Sequence, residues 1–232
     1  ICVRDDAQVE SLLYGDAGIF DNATAGLLVT VHSTVTQANL LKWVGDAQAA
    51  GVRLIDAPIT GGAARAGDGT LCYMVGGTAE DVAEVTPVFA TSAEKVVHAG
   101  ELGAGIALKL CNNFMQYTEF VALAEAARLA DACGLSLDVI HEVGMSNGVV
   151  NPQMHMFVSG RNGLAPACTD EQMREIFGGH ATLANKDLDC AITTAKEKGV
   201  VMPTAESIRE RIERVFYAQD ESRPPAKEES AA

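Results

Sequence analysis

The stretch AGIALKLCNNFMQYTEFVALAEAARLADA, Ala104–Ala132, contains no proline and a single glycine, Gly105, close to its start. Alanine and leucine dominate it, and both form helices readily because they lose little side-chain freedom there. The reading is one helix about 40 Å long, at 1.5 Å per residue. Ahead of it the sequence alternates between strand and helix patterns. Behind it the patterns are helical. The long helix therefore marks the passage from an α/β part, residues 1–100, to an all-α part, residues 101–221.

Working backwards from the helix, KVVHA (95–99) reads as a strand, 79–89 as a helix, and TLCYMV (70–75) as a strand ending at Gly76-Gly77. RLIDA (53–57) is a strand stopped by Pro58. Residues 36–50 form an amphipathic helix carrying Leu40, Leu41 and Val44, closed by Gly51 as a C-terminal cap. LLVTVH (27–32) reads as a buried parallel strand, 7–14 as a helical pattern, and Ile1-Cys2-Val3 as the tail of a buried strand. Strands separated by helices predict βαβ units in an open sheet. Working forwards, 136–145, 152–158, 182–198 and 204–218 read as helices, with 159–179 loop-rich between them. Residues 222–232, SRPPAKEESAA, read as a flexible tail.

With 31 acidic against 17 basic residues, the net charge is −14. That field repels a phosphate backbone, so nucleic-acid binding is not expected. Arg209, Arg211 and Arg214 are interleaved with Glu206, Glu210 and Glu213, which predicts i,i+3 and i,i+4 pairs on a solvated helix face. Six scattered cysteines, Cys2, Cys72, Cys111, Cys133, Cys168 and Cys190, show neither CxxC nor zinc-like spacing. Their apolar neighbours suggest small core residues in a reducing compartment. No apolar run approaches the roughly 18 residues of a membrane span, and no leader pattern opens the sequence. A cytoplasmic protein is expected.

Gly103-Ala104-Gly105-Ile106-Ala107-Leu108 loosely resembles the dinucleotide fingerprint GxGxxG/A. The fingerprint needs a second strand about 20 residues on, and here the helix continues through that place. The preferred reading is that these glycines allow close backbone approach at a helix start. Three other segments carry candidate chemistry. In Asp56-Ala57-Pro58-Ile59-Thr60-Gly61-Gly62, a strand gives way to glycines whose N–H groups can approach an anion, beside the Thr60 hydroxyl. A tight turn requiring positive φ accounts for the same residues. In Gly105 to Asn113, Lys109 and Asn113 are four apart and share a helix face. A lysine among Ala, Ile, Leu and Cys is expected to be desolvated, which lowers its pKa and suits it to proton transfer. A snorkelling lysine beside a structural amide is the alternative. Asn185-Lys186-Asp187-Leu188-Asp189 reads as a helix start, where acidic residues are ordinary dipole partners.

In combination, DAPITGGAARAGDGTLCYMVGG (56–77), GAGIALKLCNN (103–113) and KDLDCAITTAKEKGVVMP (186–203) resemble the β-hydroxyacid dehydrogenase family. That family is typified by 3-hydroxyisobutyrate dehydrogenase and tartronate semialdehyde reductase. His32-Ser33-Thr34-Val35 resembles its short Ser-Thr strand end, although Val3-Arg4 stands where the family usually has Leu-Pro. The resemblance runs through nearly the whole chain. It implies the C-terminal part of a Rossmann-like NAD(P)-binding domain over 1–100, then a helical 6-phosphogluconate-dehydrogenase-like domain for substrate and dimerisation over 101–221.

The implied activity is NAD(P)-dependent interconversion of a small 3-hydroxy acid and its semialdehyde. By the same resemblance Lys109 is the catalytic acid/base, and Asn113 binds the substrate. Thr60, Gly61 and Gly62 hold the substrate carboxylate, with Thr60 where Ser is more usual. Thr34 and Lys186 line the cofactor, NAD or NADP, and no metal is called for. TGGAARAG departs from the SGGEEGAR pattern of the 6-phosphogluconate enzymes. A homodimer or homotetramer is expected, and the long helix from Ala104 is expected to mediate a homodimer because its apolar residues are too many for one face.

The family's opening strand, glycine fingerprint and cofactor-selecting residue are not in this sequence. The chain therefore reads as N-terminally truncated by about 60 to 70 residues, judged against family and domain sizes. Two alternatives accompany the main reading. One is a non-catalytic or inactive fragment working through its helical domain as a binding module. The other is an imine-reductase-like enzyme, against which Lys109 stands.

Overall fold

The computed structural model describes residues 1–220, and the tail expected over 222–232 lies outside the described residues. The chain divides into two compact units. The first comprises Ile1–Asn112 and Cys190–Val201, and the second comprises Asn113–Asp189 and the residues from Met202 onward.

In the first unit the elements run α1 (Asp6–Leu13), α2 (Ile19–Asn22), β1 (Leu28–Val31), α3 (Gln37–Ala49), β2 (Arg53–Asp56) and β3 (Ile59–Thr60). There follow α4 (Gly62–Gly67), β4 (Leu71–Gly76), α5 (Ala79–Phe89), β5 (Ala93–Gly100) and the start of α6 (Ala104–Ala132). Local chemistry explains the helix starts. Asp5 caps α1 by accepting the Gln8 N–H at 2.9 Å, and Thr78 with Asp81 forms a reciprocal capping box on α5.

The sheet contains the two expected βαβ units, but it joins them back to back. Strands β1 and β2 are parallel, with Leu28 opposite Arg53, and so are β4 and β5. β2 meets β4 antiparallel at Asp56 and Gly76, and β3 pairs antiparallel with β4. Pro58, the short β3 and α4 turn the chain around between β2 and β4. Residues 1–3 are not a strand by themselves, yet His32 N–H donates to the Ile1 carbonyl at 2.8 Å. They therefore lie beside β1, but Ile1 and Val3 are half-buried and Cys2 is exposed, where the sequence reading expects a buried strand.

One face of this sheet packs Val29, Val31, Leu40, Trp43 and Leu54 together with Ile106 and Leu110 of α6 and with Cys190 and Ala191. The other gathers Ile55, Tyr73, Val75 and Phe89, with the Tyr73 and Phe89 rings stacked at 4.3 Å. Burying each large apolar side chain contributes about 1.5–3 kcal/mol, so the seating of α6 on the first face is a firm one.

The second unit holds the rest of α6, then α7 (Leu137–Asn147), α8 (Pro152–Leu164), most of α9 (Asp170–Glu197) and α10 (Pro203–Phe216). Phe120, Leu123, Val158, Ala184, Leu188, Ile212 and Phe216 form its core. Here the sequence reading needs correction. Residues 159–179 are not loop-rich, because α8 continues to Leu164 and α9 begins at Asp170, twelve residues ahead of the expected start at 182. The glycines and polar residues of that stretch are weak helix formers, but Arg161 and Met173 are fully buried and tertiary packing overrides propensity.

Two further expectations change. Of the six cysteines only Cys190 is buried, while Cys2, Cys111 and Cys133 are exposed and Cys72 and Cys168 are intermediate. The α10 arginines reach other helices, Arg209 to Asp189 at 2.8 Å and Arg211 to Glu125 at 2.9 Å. Among the described residues no helix is long and apolar enough to cross a membrane.

Candidate active site

Lys109 stands in the second turn of α6 with 9% of its surface exposed. Its neighbours Ile106 and Leu110 are buried in the core of the first unit, so the helix is held by apolar contacts on either side of the lysine. The start of α6 is anchored from the sheet. Asp56, at the end of β2 and fully buried, accepts the N–H groups of Gly103 and Ile106 at 2.8 Å each. Burial pushes the Asp56 carboxyl above the ordinary carboxylate value, and the backbone N–H donors pull it back. Gly105 shows the close approach expected of it: a Cβ there would lie 2.3 Å from the Met74 carbonyl oxygen.

Four residues beyond Asp56 the chain reaches Thr60, Gly61 and Gly62. Thr60 is half-buried at the end of β3, and Gly62 opens α4. Gly61 and Gly62 have φ of 134° and 69°, the region that favours glycine. At Gly61 a Cβ would also fall 2.9 Å from the Arg65 Cβ. Both the turn and the anion readings use these properties, and successive N–H groups in such a conformation can face a carboxylate. Thr34 follows the carboxyl end of β1, half-buried, next to a buried Ser33 whose Oγ accepts the Val3 N–H at 2.8 Å.

In the second unit, Asn113 is one helical turn past Lys109 along α6 and 4% exposed. Its Nδ2 donates to Asp187 Oδ2 at 2.6 Å, and Tyr117 donates its hydroxyl to the same oxygen at 3.0 Å. Lys186 pairs with the other oxygen at 2.8 Å. Burial first, and then the adjacent Asp187, push the Tyr117 phenol well above its ordinary value, so it remains a donor. Asp187 fixes the rotamer of Asn113 by accepting from its Nδ2, which leaves the Asn113 carbonyl to face elsewhere.

The geometry thus brings Asn113 and Lys186 together on Asp187, while Thr34, Thr60 to Gly62 and Lys109 belong to the first unit. Three partners escaped sequence reasoning. Tyr117 carried no signal beyond its place four residues after Asn113. Asp56 was only a strand end, and Asp187 an ordinary first-turn acid, whereas it lies deep inside the 28-residue α9. The overlooked signal was Thr169-Asp170-Glu171-Gln172, a capping box that starts α9 early: Thr169 N–H donates to Gln172 Oε1 at 2.8 Å, with the reciprocal bond at 3.3 Å.

Comparison with known proteins agrees over both parts. Residues 1–100 match the NAD binding domain of 6-phosphogluconate dehydrogenase, and residues 103–224 match the model described as NAD-binding of NADP-dependent 3-hydroxyisobutyrate dehydrogenase. The chain is 33% identical to an uncharacterized oxidoreductase of Mycobacterium tuberculosis, over 98% of this chain and 77% of that protein. It is 32% identical to 3-sulfolactaldehyde reductase of Escherichia coli, over 87% of this chain and 65% of the reductase. Among solved structures, Mycobacterium tuberculosis 3-hydroxyisobutyrate dehydrogenase with L-serine shares the fold with a TM-score of 0.76. The alignment covers 94% of this chain and 73% of that one at 24% identity.

Proposed function

Because the chain belongs to the β-hydroxyacid dehydrogenase family of NAD(P)-dependent oxidoreductases, we propose that it interconverts a small 3-hydroxy acid and its semialdehyde, with Lys109 as the acid/base. The observation that carries this reading is a lysine buried to 9% exposure, one turn before an asparagine whose amide is locked by Asp187. In its amine form Lys109 takes the proton from the substrate hydroxyl during oxidation. As the ammonium it returns that proton to the carbonyl oxygen during reduction. Asn113 holds the reacting hydroxyl, and Thr60 with the N–H groups of Gly61 and Gly62 holds the carboxylate.

The nicotinamide, when bound, supplies the hydride chemistry. Thr34 and Lys186 would contact it. Their donor types suit a dinucleotide: a hydroxyl at the carboxyl end of a parallel strand pair, and a cation. A relative that reduces 3-sulfolactaldehyde supports a small aldehyde bearing an anionic group as the substrate class. We place the protein in the cytoplasm, since its six cysteines lack the spacing of a disulfide framework.

The assembly is a homodimer or homotetramer. Leu129, Val143, Val149 and Met156 of the helical unit are each more than half exposed, and apolar side chains of this kind are what a subunit interface would cover. Light scattering that returns a monomer at micromolar concentration would count against it. The activity itself is tested by offering small 3-hydroxy acids and their semialdehydes to the full-length protein with NAD and with NADP. Turnover with at least one pair is expected, and none with any pair refutes the reading.

A further inference from the structure

We infer that Asp56 is a positioning residue for Lys109: a carboxylate from the end of β2 serves as the N-terminal cap that α6 lacks and so fixes where the lysine stands. The inference rests on the acid/base reading of Lys109 given above. A helix start leaves N–H groups in need of acceptors, and a Ser, Thr, Asp or Asn at the cap ordinarily supplies one. At α6 the residue in that place is Gly103, with φ of 85° and no side chain to offer. The acceptor comes instead from 47 residues earlier. One oxygen of Asp56 takes the Gly103 N–H and the other takes the Ile106 N–H, at 2.8 Å each. With both oxygens engaged, the helix start cannot slide along the strand without breaking one of these bonds.

Packing around the carboxylate leaves equally little freedom. A Cβ on Gly105 would lie 2.3 Å from the Met74 carbonyl oxygen and 2.9 Å from Asp56 Oδ2. A Cβ on Gly76 would lie 2.4 Å from Asp56 Oδ1. The two glycines let helix and strand come together, and the carboxylate fills the space between them. Lys109 follows Ile106 by three residues, about 4.5 Å along the axis and on the same face. A slip of one residue at the helix start would turn the lysine by about 100°. The same aspartate is four residues ahead of Thr60, so a single carboxylate ties the strand that feeds the glycine turn to the helix that bears the lysine.

The test is Asp56→Asn in the full-length protein, which keeps the side chain's size but turns an N–H₂ toward one of the backbone donors. Displacing a catalytic group by an ångström costs up to about a hundredfold. The expectation is a kcat at least about tenfold lower per folded molecule, with the KM for hydroxy acid and the Kd for cofactor within about threefold. The solvent deuterium isotope effect on kcat should rise as proton transfer becomes limiting. A role confined to stability would lower the melting temperature and leave the isotope effect and kcat per folded molecule unchanged, and that result overturns the inference.

Should the variant not fold, the parent protein answers through amide exchange. The Gly103 and Ile106 amides should be strongly protected at neutral pH and lose protection as the carboxylate is protonated, and exchange at unfolded-chain rates overturns the inference. Lys109→Ala separates the two readings. Near-normal turnover there removes the acid/base reading and the positioning role with it. A crippled Lys109→Ala beside a normal Asp56→Asn overturns the positioning role alone.

Discussion

Asn113 and Asp187, 74 positions apart in the chain, are joined side chain to side chain at 2.6 Å inside the helical unit. The same carboxylate oxygen also accepts the Tyr117 hydroxyl. Truncation by Asp187→Ala strands two buried donors, at about 1–3 kcal/mol each. A loss of that size in the transition state corresponds to kcat/KM falling about tenfold to a hundredfold. Steady-state kinetics on the full-length variant checks this, and a value within about twofold of the parent would show that Asn113 needs no such partner.

Lys109→Ala should lower kcat by about a hundredfold to ten-thousandfold, the range general acid–base groups supply. Nicotinamide affinity should change little, since the proposed cofactor contacts are Thr34 and Lys186. Stopped-flow turnover and a fluorescence titration of the cofactor measure the two effects separately. Loss of cofactor binding together with turnover would mean that the lysine holds the dinucleotide rather than moving a proton.

Stability should respond to pH through His32. Burial lowers its pKa from the ordinary 6.5, more than the hydrogen bond to the Ala57 carbonyl raises it. Its ring is satisfied when neutral, with Nδ1 2.7 Å from that carbonyl oxygen and Nε2 3.0 Å from the Thr30 hydroxyl. The unfolded chain therefore binds the proton more readily than the folded one. The contribution is complete above the unfolded value of 6.5 and is lost as pH falls below it toward the folded value. Urea unfolding at two pH values on either side of that point should show a smaller drop for His32→Gln than for the parent. Equal drops would assign the acid sensitivity to other groups.

Two neighbours on α10 should differ sharply. Ile212 is fully buried, and Ile212→Ala should cost about 2–5 kcal/mol through lost packing and the cavity left behind. Arg211 makes a largely exposed pair with Glu125, and Arg211→Ala should cost under about 1 kcal/mol. Chemical denaturation of both variants reads the contrast directly, and comparable losses would mean that α10 is held by its ion pairs.

What was legible in the sequence follows from how local the cause is. The body of α6 was readable because its run of alanine and leucine favours a helix without any distant partner. The two βαβ units were readable from alternating patterns, but their antiparallel junction was not, since it depends on the pairing of Asp56 with Gly76 across the sheet. The stretch 159–179 misled because its glycines and polar residues oppose the helix that Arg161 and Met173 impose by burial. At the candidate site, Lys109 and Asn113 stood out by type and spacing. Asp56 and Asp187 did not, because their partners are 47 and 74 residues away and a carboxylate's neighbours are written only in the fold. The exposure of Cys2, Cys111 and Cys133 was missed for a related reason: apolar neighbours in sequence do not decide which face of an element turns inward.

The first unit is completed by Cys190–Val201, so Cys190 and Ala191 return from the far end of the chain to pack beside Val31 and Leu40. Gene fusions that graft a foreign helical half onto this α/β half cannot therefore be spliced at one junction. A chimera cut only near residue 112 would inherit a core patched by another protein's residues. Recombination has to respect three crossing points, which favours inheriting the two halves as a matched pair.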